Sequence, residues 1–152
     1  MRGAVIVDVG VTVDTGIYAA DDNIGGKLSI TEPPITGRGV RLVGVQFLVH
    51  DAEATLAPTI YLFDANPAAA TLTNNAGFVL TDPDREKLIY AVTPAAVKDP
   101  PVTGVGSIYA ARGLDIPIPS TVLVLYVAIV AGGAITFSAT DDAHLRLFFE
   151  QF

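Results

Sequence analysis

Toward the C-terminal end of the chain, Leu145, Leu147 and Phe149 alternate with Arg146 and Glu150, and only Phe148 breaks the period of two. That period predicts a half-buried β-strand over Leu145–Gln151. Val40–His50 also mixes polar with apolar positions, and reads as a long strand with one exposed face. Val122–Ala131 is apolar on both faces, as expected of a strand held between two packed layers. Further strands are predicted at Ala4–Val9, Val11–Tyr18, Lys27–Ile30, Thr59–Phe63, Leu88–Val92, Ser107–Ala110 and Ala134–Thr140. Gly and Pro punctuate the chain between these runs, from Gly10 and Gly16 through Pro33-Pro34 to Pro117 and Pro119. Short β-branched runs separated by such breakers predict an all-β fold, an antiparallel jelly-roll-like sandwich.

One short helix interrupts the pattern. In Asp82-Pro83-Asp84-Arg85-Glu86-Lys87-Leu88, Asp82 is the expected N-cap and Pro83 the expected first helical residue, where its missing donor costs nothing. Asp84 and Glu86 complement the helix dipole. Gly132-Gly133 lies between two strand-like runs, which predicts a hairpin pairing Val122–Ala131 with Ala134–Thr140. Thr93–Gly106 carries three prolines and two glycines and reads as a long surface loop. No repeat or internal boundary is visible, so residues 1–152 are expected to form a single β-sandwich domain.

Composition sharpens this picture. Hydrophobic residues make up 51% of the chain and charged residues only 16%. That charged share is well below the ~25% of ordinary soluble domains, so part of the surface is expected to be covered by partners. The formal charge is −7, and the closest basic neighbours are the pairs Arg85/Lys87 and Arg38/Arg41. Two charges make no footprint for phosphates, which argues against a nucleic-acid partner. No charge occurs from Ile116 to Thr140, a length that could cross a bilayer. Prolines, glycines and hydroxyl residues interrupt it, so it reads as buried strand and not as a membrane span. The apolar run Ala4–Val7 stops at Asp8, too short for a secretory h-region.

Candidate chemistry is sparse. Cysteine is absent, which excludes disulfides and thiolate sites. His50, beside Asp51, and His144, after Asp141-Asp142, are the two histidines, and no Gly-x-Ser-x-Gly nucleophile motif accompanies them. They read as strand-end residues. Asp141-Asp142 with His144, Asp21-Asp22, Asp64 with Asn66, and Asp82 with Asp84 are the acidic candidates for a metal. Asp64-x-Asn66 departs from a calcium loop at Pro67-Ala68-Ala69, which offers neither oxygen ligand nor glycine. All four sets fall where turns are expected, and Asp and Asn favour turns for their own reasons. The glycine pairs Gly37/Gly39 and Gly104/Gly106 open no helix after a strand and so do not suggest a phosphate cradle. The reading is of no catalytic, metal or cofactor-binding residues, no cofactor, and no enzyme.

Three segments together carry a resemblance. The first is Asp22-Asn23-Ile24-Gly25-Gly26-Lys27-Leu28-Ser29-Ile30. The second is Tyr61-Leu62-Phe63-Asp64-Ala65-Asn66-Pro67, followed by Thr71-Leu72-Thr73-Asn74-Asn75-Ala76 and Thr81-Asp82-Pro83-Asp84. The third is Leu125–Val130, leading through Gly132 to Thr140-Asp141-Asp142 and Leu145–Gln151. In order and spacing the set resembles a family of small virion proteins of tailed bacteriophages, while Val97–Pro119 matches no pattern of that family. The resemblance implies a capsid decoration (cement) protein on the outer surface of the head shell. Its implied partners are the major capsid protein and copies of itself, as a homotrimer. An acidic chain suits an outer position better than a DNA-filled interior. The apolar ends Met1–Val7 and Phe148–Phe152 are the expected contacting parts. The alternatives are a phage tail or baseplate component, a carbohydrate-binding β-sandwich module, or a small hydrolase with a carboxylate pair. Sugar-binding modules display aromatic platforms, whereas Trp is absent here and the five tyrosines mostly sit inside apolar runs.

Overall fold

The computed structural model describes residues 4–31, 39–50, 56–68, 72–97 and 107–151. Two antiparallel sheets pack face to face. The first runs in the order β1 (Ala4–Val11), β11 (Ala143–Gln151), β4 (Val40–Val49), β8 (Ser107–Ile118), β7 (Ala95–Val97). The second runs β3 (Asn23–Ile30), β9 (Leu125–Val130), β5 (Thr59–Phe63), β6 (Leu88–Val92). A two-stranded ribbon, β2 (Ile17–Tyr18) with β10 (Ile135–Thr136), completes the fold. β1, β11, β4 and β8 lie in one sheet and β3, β9, β5 and β6 in the other, so the chain switches sheets repeatedly. This is the wiring of a jelly roll.

Alternation explains which side chains fill the core. In β1, Val7 and Val11 are buried while Ala4, Ile6, Asp8 and Gly10 face out. In β11, Ala143, Leu145, Leu147 and Phe149 point inward. They meet Leu42, Val45, Phe47 and Val49 of β4 and, from the second sheet, Ile60, Leu62, Leu125, Val127 and Ile129, all in one buried cluster. Each fully buried side chain of this size contributes about 1.5–3 kcal/mol, which is what drives the sheets together. The second layer is covered outside as well. Phe78 stacks on Tyr61 at a centroid distance of 4.8 Å, and Tyr61 lies opposite Ala128 of β9. Val127, Ala128 and Ile129 are consequently all buried, so the strand apolar on both faces does lie between two layers.

Several sequence expectations are corrected. The hairpin across Gly132-Gly133 does not form: β9 pairs with β3 and β5, and β10 pairs with β2. The glycine pair serves a close approach instead. Gly132 N–H and Gly133 N–H both donate to Leu56 O, and a Cβ on Gly132 would lie 2.3 Å from Ala57 O. Val11–Tyr18 is not one strand. β1 runs on to Val11, and Asp14 Oδ1 then accepts from Gly16 N–H in a turn before the short β2. β3 starts earlier than expected, at Asn23, because Gly25 and Gly26 adopt positive φ and form a bulge within it. A Cβ on Gly25 would come within 2.2 Å of Val11 Cγ1.

β8 extends to Ile118, well past the expected end at Ala110. Of the expected loop, Thr93 and Pro94 lie between β6 and β7, Ala95–Val97 forms β7, and 98–106 lies outside the described residues. The helix α1 is a single turn, Asp82–Arg85. Its N-cap is Thr81 and not Asp82, and Thr81 makes no side-chain cap bond. Thr81 Oγ1 donates instead to the carboxylate of Asp84, which is fully buried and ion-paired with Lys87 Nζ at 2.8 Å. No helix among the described residues is long and apolar enough to cross a membrane.

Candidate docking face on the five-stranded sheet

The register across the first sheet defines its outer face row by row. Ile6 lies opposite Phe148, which lies opposite Gly44, which lies opposite Arg112. In the next row Asp8, Arg146, Gln46, Ala110 and Ala95 follow one another, and in the next Gly10, His144, Leu48, Ile108 and Val97. Ile6 is 60% exposed and Val97 48% exposed, while Phe148, Leu48 and Ile108 are half-buried. The face therefore presents apolar side chains from all five strands, divided by the polar row Asp8, Arg146 and Gln46 and interrupted by Arg112 and His144.

A groove of about 590 Å3 opens in this face beside Val43, Gly44, Leu114 and Phe148, with Arg112 and Glu150 also lining it. Two irregularities produce it. The β4–β8 register shifts between Leu42 and Gly44, and the β11–β4 register shifts between Phe148 and Phe149. On β8, residues 113–115 oppose Val43 alone, and Gly113 takes positive φ to make the turn. Gly44 lacks the Cβ that would sit 3.4 Å from the Phe148 ring. A Cβ there would make ordinary contact with the ring, so the groove owes its shape to the bulge, which re-aims neighbouring side chains.

The histidines end up side by side. His50, just beyond β4, and His144, within β11, have ring centroids 5.8 Å apart. His50 Nδ1 is 3.4 Å from Asp142 Oδ1, and His144 Nδ1 is 3.8 Å from Asp8 Oδ1. Asp142 is committed to its own turn, accepting from Ser138 Oγ and Ala139 N–H. Among the described residues no group of three or more His, Asp or Glu is placed to hold a metal.

The other acidic sets make turns or ion pairs. Asp22 Oδ2 accepts from Ala19 N–H. Asn66 is held by two lysines, its Oδ1 by Lys27 Nζ at 2.7 Å and its carbonyl by Lys87 Nζ at 2.9 Å. Asp82 pairs with Arg85 on the surface. Gly37, Gly104 and Gly106 lie outside the described residues. The two terminal segments expected to make contacts are largely structural: Ala4–Val7 pairs with Leu147–Glu150, and Val7 and Phe149 are buried. Only their alternate residues, among them Ile6 and Phe148, reach the outer face; residues 1–3 and 152 lie outside the described residues.

No family model matches the chain, and no curated protein matches it. Solved structures give distant likenesses. A tomato aspermy virus structure is 12% identical, with 99% of this chain and 76% of that chain covered at a TM-score of 0.45. The unassembled KI polyomavirus VP1 pentamer is 13% identical, covering 99% of this chain and 94% of that one at a TM-score of 0.36. The acid-stable capsid of Helicobacter pylori bacteriophage KHP30 is 11% identical, with 100% and 94% covered at a TM-score of 0.28. Likenesses this distant assign neither family nor function.

Proposed function

We propose that the chain is a bacteriophage head decoration protein, a structural and non-catalytic part that binds the outer face of the shell and stabilises it. The observation that carries this reading is the outer face of the first sheet, where Ile6 and Phe148 lie beside a largely apolar groove on one side of the Asp8–Arg146–Gln46 row, and Leu48, Ile108 and Val97 lie on the other. Apolar side chains left at a surface, here Ile6 at 60% and Val97 at 48% exposed, suit a face that a partner covers. The three segments that resemble phage virion proteins supply the partner, the major capsid protein, and the homotrimer is the assembly that resemblance favours.

The mechanism is mass action. A ligand that binds only the assembled shell stabilises it by RT ln(1 + [L]/Kd), about 2.7 kcal/mol per site at a hundredfold excess over Kd. The gain repeats at every site on the shell. The contact is mainly apolar, so it survives salt that screens exposed charges, at a Debye length of ~3 Å in 1 M salt.

The test is to strip shells of this protein, add back the purified chain at low and high salt, and sediment the mixture. Co-sedimentation at both salts, with a raised melting temperature of the shell, is the expected result. Failure to pellet would overturn the decoration role. Pelleting at low salt alone would overturn the apolar mechanism.

A further inference from the structure

A sheet edge exposes unpaired N–H and C=O groups, and natural proteins blunt such edges with lysine, proline, bulges or short strands. The four edges of the two main sheets differ sharply in this respect. β7 has three residues and β6 has five. β3 has eight, but its glycine bulge breaks the register between Ile24 and Leu28. β1 also has eight residues, Ala-Val-Ile-Val-Asp-Val-Gly-Val, and pairs with β11 in unbroken register from Ala4 to Val11. It holds no proline, no lysine and one charge, Asp8. Its other edge has no partner strand among the described residues. β3 meets β1 at Val11, where Gly25 packs against it, and from Val7 to Gly10 a cleft of about 260 Å3 lies between β1 and Ser29–Thr31.

We propose that β1 is a self-docking edge, at which a second copy of this chain adds its own β1 antiparallel about a twofold axis. An extended peptide added here would present a new open edge in its turn, whereas a second copy's β1, the long regular edge among the described strands, covers both edges at once. The register follows from the side-chain faces. Val5, Val7, Val9 and Val11 face the core side, so the two copies must oppose odd-numbered with odd-numbered residues. Centring on Asp8 would set two carboxylates opposite each other, which destabilises a strand pair. Centring on Ile6 shortens the overlap to Ala4–Asp8. Centring on Val7 keeps the longer overlap, Ala4–Gly10, and sets Ile6 against Asp8 of the second copy. The contact is twofold and isologous, so it is separate from the contacts that close a threefold ring. It does not depend on the proposed shell role.

The absence of cysteine makes the register directly testable. Purified Val7→Cys protein is oxidised mildly, and an equimolar mixture of Val5→Cys and Val9→Cys proteins is treated alike, since those positions oppose each other in the same register. Both should give a disulfide-linked dimer, while Ile17→Cys, at an exposed site on β2, should not. Sedimentation equilibrium of cysteine-free variants supplies the second measurement. Ile6→Glu places like charge against Asp8 of the second copy and should weaken association at least tenfold, whereas Ile6→Lys should leave it equal or stronger. Ile6 is 60% exposed, so both variants should melt as the parent does. A parent chain that stays monomeric at all concentrations would overturn the proposal. So would association without either cross-link, or equal weakening by Glu and Lys at position 6.

Discussion

The Tyr18 hydroxyl donates a hydrogen bond to Asn74 Oδ1 at 2.7 Å, across 56 positions of sequence. The same oxygen of Asn74 accepts from Gly25 N–H, and the Tyr18 oxygen accepts from Asp14 N–H. Tyr18 is fully buried and meets Phe137 edge-on at 5.4 Å. One phenol thus ties the β1–β2 turn, the β3 bulge and the segment that covers the second sheet. Tyr18→Phe should cost about 1 kcal/mol, the net worth of the lost bonding, because Asp14 is exposed to water and the half-buried Asn74 keeps its bond from Gly25 N–H. Asn74→Leu should cost a similar amount, and the double mutant less than the sum, since both changes remove the same bond. Denaturant melts of the three variants measure this.

A pH dependence follows from the same residue. Burial, the largest cause, raises the Tyr18 pKa above its ordinary value, and the neighbouring Asp14 and Asp22 charges act in the same direction. A group whose folded pKa lies above its unfolded value of about 10 contributes stability in full below that pH. The contribution is lost as pH rises through the folded pKa. Stability of the parent chain should therefore fall more steeply above about pH 10 than that of Tyr18→Phe. Parallel slopes for the two proteins in alkaline melts would refute it.

Gly132 offers a test of close approach. A Cβ there would lie 2.3 Å from Ala57 O, a backbone atom with little room to move. Gly132→Ala should destabilise by about 1–3 kcal/mol, as overpacking does. At about 2–4 °C per kcal/mol for a chain of this size, calorimetry reads the shift easily. A neutral outcome would show that the Leu56–Ala57 segment yields to the added methyl.

The strands were legible in the sequence because alternation is local, and their partners were not because pairing is distant. Leu145–Gln151 could be read from its period of two, but nothing in it names Val5 and Leu42 as the neighbours of Phe149. Gly132-Gly133 misled for a related reason: a glycine that admits another backbone looks the same in sequence as one that turns a hairpin. The docking face was hidden for the same cause, since Ile6, Leu48, Val97, Ile108 and Phe148 come from five strands. One signal was present. Phe148 broke the alternation of its strand, and an apolar residue at a polar position marks a face that something covers.

The two faces of the fold predict opposite phenotypes for one kind of substitution. Val127 and Ile129 are fully buried at the centre of the second sheet. Aspartate at either position must bury an unpaired charge or be protonated at a cost, and should abolish folding and soluble yield. Val97 sits at the edge of the first sheet, 48% exposed, in line with Ile108 and Leu48. Aspartate there remains hydrated and should leave yield and melting temperature close to those of the parent. The same charge would be desolvated if that face closes against a shell, so Val97→Asp should weaken co-sedimentation with stripped shells by about tenfold or more, equivalent to about 1.4 kcal/mol. Melting and pelleting assays on Val97→Asp separate the two demands. A folded protein with parental affinity would move the contact off this face, and an unfolded one would show that the edge strand β7 belongs to the core.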